Sequence, residues 1–394
     1  MVVTEAHRKV DTEPRRVTIL GSTGSVGSNT VDLIERAPDN YVIEALTANR
    51  NVEDLARQAL KLKPRVAVVA DPACYSALKQ ALSGSGIDVA AGADAVADAA
   101  SRPADWVMAS IVGTAGLIPT LKAVERGAIV GLANKECLVS AGELMMCEIK
   151  RCGATLIPVD SEHSAIFQIF DFDAPDKVRR IILTASGGPF RQMSSADMAT
   201  VTPEQAVDHP NWDMGAKISI DSATMMNKGL ELIEAYHLFG VEEQQIDILV
   251  HPQSVVHSMV DYVDGSVLAQ LGTPDMRTPI SYALGWPNRL ETPAARLNLE
   301  EIGSLTFEAP DPVRFPALRL ARECLALGGS APTVLNAANE IAVEGFLGGK
   351  IGFLDIIRIV EMTLGKIPGS RIETLEDVLS VDLEARKISR DFLE

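Results

Sequence analysis

The sequence predicts an α/β fold in three parts: a doubly wound parallel-sheet domain, a second α/β domain with a mixed sheet, and a helical bundle. Three observations carry this. Short β-branched runs alternate with helical periodicity through the first third of the chain. A glycine-rich turn joins the first strand to the first helix. The last 80 or so residues, about a fifth of the chain, read almost wholly as helix.

The element order follows from pattern. Residues 1–15 are polar and read as a disordered tail. Strands are expected at 17–20, 41–45, 66–70, 106–109 and 128–132, with helices at 52–60, 75–82 and 117–126 between them. This first domain is assigned to residues 16–150. A second domain is assigned to 151–286, with strands at 155–159, 178–185, 246–250, 255–260 and 266–270 and a helix at 227–239. Pro, Asn and Thr between 287 and 312 suggest a linker. Helices at 313–327, 332–347, 353–364 and 375–392 form the C-terminal helical domain, 313–394, with Pro332 in a first turn and Gly348-Gly349 as a stop.

Composition excludes several classes. The chain has 394 residues, 47% hydrophobic and 23% charged, enough for two or three ordinary domains. A net charge of −17 argues against a general nucleic-acid binder. No apolar stretch is long enough to suggest a membrane span, and the polar N-terminus is unlike a signal peptide. Five cysteines without paired spacing fit neither a disulfide framework nor a zinc site. They are expected to be buried hydrophobes in a reducing, cytoplasmic setting.

Five motifs carry chemistry. Gly21-x-x-Gly24-x-x-Gly27 lies between a strand and a helix, where glycines allow close approach of a pyrophosphate to a helix N-terminus. This makes the first domain Rossmann-like and dinucleotide-binding; a tight packing turn is the alternative. The second strand ends in Asn49-Arg50-Asn51 without the acid that binds NAD ribose, so Arg50 favours a 2′-phosphate and hence NADP. Asp160-Ser161-Glu162 ends a strand. On a strand, i and i+2 carboxylates face one way and need a hard divalent cation or a shared proton, although two surface acids fit the string equally well. If a helix begins near Ser222 or Ala223, then Asn227, Lys228 and Glu231 share a face able to hold a phosphate at one end and a metal at the other, although for this string alone a solvated helix face with one salt bridge is the stronger reading. Ser186-Gly187-Gly188 follows a strand as an anion nest that Ser222, Asn227 and Lys228 could complete. Finally, Asn134-Lys135-Glu136 ends a core strand of the first domain. The aperiodic stretch 209–215, holding His209, Trp212 and Gly215, reads as a mobile lid, with a core role for Trp212 as the alternative.

Together the strings GSTGSVGSNT, LANKE, PVDSEHSAIFQ, TASGGPF, HPNWDMGAKISIDSATMMNKGLE and HPQSVVHSMV resemble the 1-deoxy-D-xylulose 5-phosphate reductoisomerase family, from about Val17 to the C-terminal helices. The resemblance implies an NADPH-dependent enzyme of the non-mevalonate isoprenoid route that needs a divalent cation (Mg²⁺, Mn²⁺ or Co²⁺) and forms a homodimer. Its substrate would be a sugar phosphate, rearranged and then reduced by hydride. It also implies metal ligands at Asp160, Glu162 and Glu231, and phosphate contacts at Ser186, Ser222, Asn227 and Lys228. Lys135, Ser161 and His209 fall on substrate positions, with Lys135 and His209 also catalytic, and Trp212 on the lid is expected to cover the substrate. Thr23, Gly24, Ser25, Val26, Asn134, Glu136 and Gly215 fall on cofactor positions, to which the glycine turn adds Gly21 and Gly27 and the end of the second strand adds Asn49, Arg50 and Asn51. The family often has Gly-Lys-Asn where this chain has Asn49-Arg50-Asn51; the cation is kept. A simple NADP-linked dehydrogenase of a phosphorylated metabolite and a non-catalytic NADP(H) sensor are the competing readings.

Overall fold

Seven short strands build the first sheet of the computed structural model, which describes residues 13–212 and 214–393. They are β1 (Arg15–Leu20), β2 (Tyr41–Ala48), β3 (Val66–Val69), β4 (Asp88–Ala91), β5 (Trp106–Ala109), β6 (Ile129–Leu132) and β7 (Thr155–Pro158). Their order is β4-β3-β2-β1-β5-β6-β7, parallel throughout. β3 and β5 are buried along their whole length, as strands covered on both faces must be. From β1 the chain steps outward to β4, then returns to the other side of β1 as β5. That reversal opens a crevice at the carboxyl ends of β1 and β5, where α/β sheets bind ligands.

Three placements differ from the sequence reading. β4 and the helix Ala93–Ala100 were not legible, because β4 is a four-residue edge strand, only partly buried and poor in large apolar residues. β7 pairs with β6 and so belongs to the first sheet rather than to the second domain. The helix Arg277–Gly285 also joins this unit: the Trp106 indole donates to the carbonyl of Ala283 at 2.9 Å, and Arg277 pairs with Asp32. The expected tail lies largely in residues 1–12, outside the described residues, and Arg15 already belongs to β1.

The second unit holds a four-stranded sheet in the order β11-β10-β8-β9, from β8 (Val178–Ala185), β9 (Ile246–Val250), β10 (Val256–Tyr262) and β11 (Val267–Leu271). β8 and β9 are parallel, whereas β10 runs antiparallel to β8 and β11, so the sheet is mixed as expected. The helices Ala317–Leu327, Ala331–Leu347, Asp355–Lys366 and Leu375–Asp391 form the C-terminal bundle. Thr374 opens the last of them with a reciprocal capping box. All five cysteines are free, but only Cys137 and Cys324 are buried; Cys147 is exposed, which corrects the expectation of five buried thiols. No helix among the described residues is long and apolar enough to cross a membrane.

His237, on the helix Met226–Phe239, lies so close to Gly142 that a methyl group there would overlap the imidazole. Burial pushes its pKa from the ordinary 6.5 down to about 4. The unfolded chain therefore binds a proton that the folded chain refuses between those values. Stability from this group is complete above pH 6.5 and lost as the pH falls toward 4, by about 3 kcal/mol. Denaturant titrations across that window should show this slope in the wild type and its loss in His237→Gln.

Candidate functional site

In the first unit the glycine turn sits at the crevice. A methyl group on Gly27 would lie 2.2 Å from the Gly21 carbonyl oxygen, so only glycine lets the helix Ser25–Glu35 start hard against the turn. No side chain caps that helix at Gly24, and both Gly24 and Ser25 are exposed, so its first N–H groups face outward for an anion. Thr47 at the end of β2 holds the turn, accepting the Gly21 N–H at 2.9 Å through its hydroxyl and the Ser22 N–H at 2.8 Å through its carbonyl. Thr23 lies on the same turn, which Gly21 starts, and Val26 lies in the first turn of the helix.

Arg50, exposed along most of its side chain, pairs through Nε with Asp71 at the end of β3, 2.7 Å away. This partner, in the turn after β3, was not identified from the sequence. The Ala73 N–H, with Arg50 second, holds the Asp71 carboxyl below the usual carboxylate range. Asn51 caps the helix Val52–Leu62 through Asp54, and Asn49 accepts the Asp71 N–H through its carbonyl. Arg50→Ala should raise the KM for NADPH about ten- to hundredfold and leave that for NADH nearly unchanged, as steady-state kinetics with both cofactors would record. Equal effects on the two would remove Arg50 from 2′-phosphate recognition.

Asn134 is buried and braces the loop after β5, its amide donating to the carbonyls of Ile111 and Gly113 while its oxygen accepts the Cys137 N–H. Beside it, Lys135 pairs with Asp160 at 2.5 Å, both side chains about nine-tenths or more buried. Glu136 is buried at the start of the helix Glu136–Cys152. The structure corrects the expectation that Asp160 and Glu162 share a strand face. β7 stops at Pro158 and a helix runs over Ser161–Ile169, so Glu162 lies in its first turn. A helix N-terminus favours an acid there, and the Ser161 hydroxyl donates to Glu162 at 2.6 Å.

In the second unit, Ser186 follows β8. His209 Nδ1 accepts the backbone N–H groups of Asn211 and Trp212, at 3.2 and 3.1 Å. The ring proton is thereby assigned to Nε2, which donates to Ser186 Oγ at 2.8 Å. Ser186 Oγ also accepts the Gly188 N–H at 3.1 Å. Both lone pairs are engaged, which leaves the Ser186 hydroxyl hydrogen to donate. Asn211, which the sequence reading passed over, ties this segment to the carbonyl of Pro252 and the hydroxyl of Ser254 at 2.6 and 2.9 Å. Trp212 is half-buried, its ring 6.2 Å from that of His257. Gly215 is the N-cap of the helix Ala216–Ala223.

Gly188 has φ +68°, and a methyl group on it would lie 2.7 Å from the Ser222 carbonyl oxygen. The Ser186–Gly188 turn and Ser222 are therefore backbone neighbours. Gly188→Ala should cost at least tenfold in substrate KM, because it strains φ and drives the two serines apart; an unchanged KM in a folded variant would contradict this.

The helix carrying Asn227, Lys228 and Glu231 starts at Met226, in line with the helix expected over 227–239 and later than a start near Ser222 or Ala223, because Met225 adopts a left-handed conformation, φ 63°, between it and the preceding helix. The expected face nevertheless forms. Glu231, fully buried, accepts from Lys228 Nζ on one oxygen and from Asn227 Nδ2 on the other. Lys228 is itself 3% exposed.

A doubly wound sheet with a glycine turn at its reversal, followed by an α/β unit in which a Ser186–Gly188 turn abuts Ser222, defines an enzyme of the dinucleotide-binding α/β class. Family profiles for 1-deoxy-D-xylulose 5-phosphate reductoisomerase match residues 17–142, 156–239 (C-terminal domain) and 271–388 (a further C-terminal domain). The chain is 64% identical over 391 residues to the 1-deoxy-D-xylulose 5-phosphate reductoisomerase of Rhodospirillum centenum, covering 99% of this chain and 97% of that one. It superposes with a TM-score of 0.92 on the Zymomonas mobilis reductoisomerase in complex with NADPH, at 59% identity over 97% of this chain and 99% of that one. A reductoisomerase in complex with NADPH, fosmidomycin and magnesium gives a TM-score of 0.91 at 43% identity, covering 96% and 98%. The chain belongs to the 1-deoxy-D-xylulose 5-phosphate reductoisomerase family.

Proposed function

We propose that this protein converts 1-deoxy-D-xylulose 5-phosphate to 2-C-methyl-D-erythritol 4-phosphate, using NADPH and a divalent cation. The observation that carries the reading is the cradle of Ser186, Gly188 and Ser222, in which a serine hydroxyl with both lone pairs engaged has a hydrogen to offer an anionic oxygen.

The residues fit both groups. Asp160, Glu162 and Glu231 are the carboxylates that would hold a hard cation such as Mg²⁺ or Mn²⁺; Lys135 pairs with Asp160 and Lys228 with Glu231 in this structure. The open helix N-terminus after Gly24 suits a pyrophosphate, and Arg50 suits a 2′-phosphate. When bound, the cation supplies Lewis-acid polarisation of the substrate carbonyl, and NADPH supplies the hydride.

The chain's own residues do the rest. Ser186, Ser222, Asn227 and Lys228 bind the phosphate, and that remote binding energy orients the reacting end. Lys228 and Asn227, which hold Glu231 in this structure, would turn to the phosphate as Glu231 takes up the cation. Lys135 pairs with Asp160 and offers its ammonium to a substrate oxygen, while Ser161 supplies a hydroxyl. His209 fixes Ser186, and Trp212 covers the carbon chain and excludes water. Asn134 and Glu136 hold the cofactor side, with Gly215 on the cover. The family resemblance further implies a homodimer, and the free cysteines fit a cytoplasmic setting.

The test is NADPH oxidation driven by 1-deoxy-D-xylulose 5-phosphate, with and without Mg²⁺. Oxidation that needs both is expected. Oxidation that survives exhaustive chelation would favour a simple dehydrogenase, and cofactor binding without oxidation a sensor.

A further inference from the structure

Asp221 is a carboxylate buried to 1% exposure, one residue before Ser222. Its Oδ1 accepts a hydrogen bond of 2.8 Å from the Asn339 amide, and its Oδ2 pairs with Lys217 Nζ at 2.8 Å, one helical turn earlier. Asn339 is fully buried on the helix Ala331–Leu347 of the C-terminal bundle, 118 residues further along the chain. All three lie in the second unit.

A buried carboxylate is costly, and an apolar residue of similar volume would stabilise this helix contact at least as well. What the charged arrangement supplies is direction. Asp221 sits in the last turn of the helix Ala216–Ala223, the turn that also carries Ser222. The Thr224 hydroxyl closes the same turn on the Asp221 carbonyl at 3.2 Å, and the left-handed Met225 ends it. With the Gly188 turn against the Ser222 carbonyl, the last turn is held by backbone on one side. The amide of Asn339 fixes it on the other, through a bond whose geometry admits little rotation.

We infer that Asn339 is a positioning residue that aims Ser222 at the substrate phosphate by holding Asp221. The inference rests on the reading of Ser222 as a phosphate ligand. It assigns part of the phosphate affinity to a helix of the C-terminal bundle that supplies no phosphate contact of its own in that reading.

The experiment compares the wild type, Asn339→Ala and the exchange variant Asp221→Asn/Asn339→Asp, which returns an amide–carboxylate hydrogen bond in the opposite sense. KM and kcat for 1-deoxy-D-xylulose 5-phosphate are measured, with affinity for inorganic phosphate by isothermal titration and for NADPH by fluorescence. Asn339→Ala should raise KM and weaken phosphate binding about tenfold, change kcat less than about threefold, and leave NADPH affinity unaltered. The exchange variant should regain most of the phosphate affinity. A folded Asn339→Ala with wild-type phosphate affinity overturns the inference. So does an exchange variant that folds but stays weak, which decides the matter if Asn339→Ala does not fold. If the wild type binds phosphate yet never turns over the substrate, the functional reading fails, and phosphate affinity in the variants still judges Asn339.

Discussion

Glu231→Gln should lose about 10³-fold or more in kcat/KM while the protein stays folded. Glu231 is fully buried and is the acid of the second unit assigned to the cation. An amide keeps the size and the hydrogen bond from Lys228 or Asn227 but removes the anionic charge that a hard cation needs. Losing a Lewis-acid interaction made chiefly in the transition state corresponds to about 4 kcal/mol, which sets the thousandfold figure. Raising Mg²⁺ should recover part of the loss, and circular dichroism should be unchanged. Near-normal turnover at limiting Mg²⁺ would remove Glu231 from the ligand set.

Lys228→Met should act on stability and substrate binding together. In the protein as described, Lys228 neutralises Glu231 from a position 3% exposed. Removing it leaves a buried carboxylate with the Asn227 amide and without this cation, a change that costs about 3–5 kcal/mol in comparable buried pairs. It also removes the charge-assisted contact proposed to the phosphate, which should raise KM about a hundredfold. The two effects separate in Lys228→Met/Glu231→Gln. That double variant should recover most of the unfolding free energy, because no unpaired charge remains, and none of the activity. Recovery of activity there would mean that the pair is structural only.

Much of this was legible from residue pattern. The strand periods of β8 and β9 and the helical spacing of the C-terminal bundle agree with the structure to within a few residues, because those segments are apolar on a regular period. The spacing of Asn227, Lys228 and Glu231 foretold a shared face. The helix expected over 227–239 starts at Met226, but the left-handed Met225 that separates it from the preceding helix was not legible, since methionine has no local preference for that conformation. Asp160-Ser161-Glu162 misled for a local reason: an apolar run ending in polar residues reads as a strand end, and only the serine and the following acid hint at a helix start.

Contacts distant in sequence were invisible. Nothing in the string at Asn49-Arg50-Asn51 announces that Arg50 pairs with Asp71, two residues beyond β3. Nor does LNAANE announce that its last asparagine reaches Asp221. β7 and the helix Arg277–Gly285 were assigned by chain order to the second domain, whereas β-pairing and the Trp106–Ala283 hydrogen bond place them in the first unit. Periodicity reports which face of an element is buried, not against what.

Carbon NMR of the product formed from 1-deoxy-D-xylulose 5-phosphate, NADPH and Mg²⁺ decides whether this chain rearranges a carbon skeleton before reducing it. A methyl group on a carbon that bears no hydrogen is expected, the branched 2-C-methyl-D-erythritol 4-phosphate. A methyl group on a carbon bearing one hydrogen, the unbranched product of simple carbonyl reduction, would contradict the rearrangement.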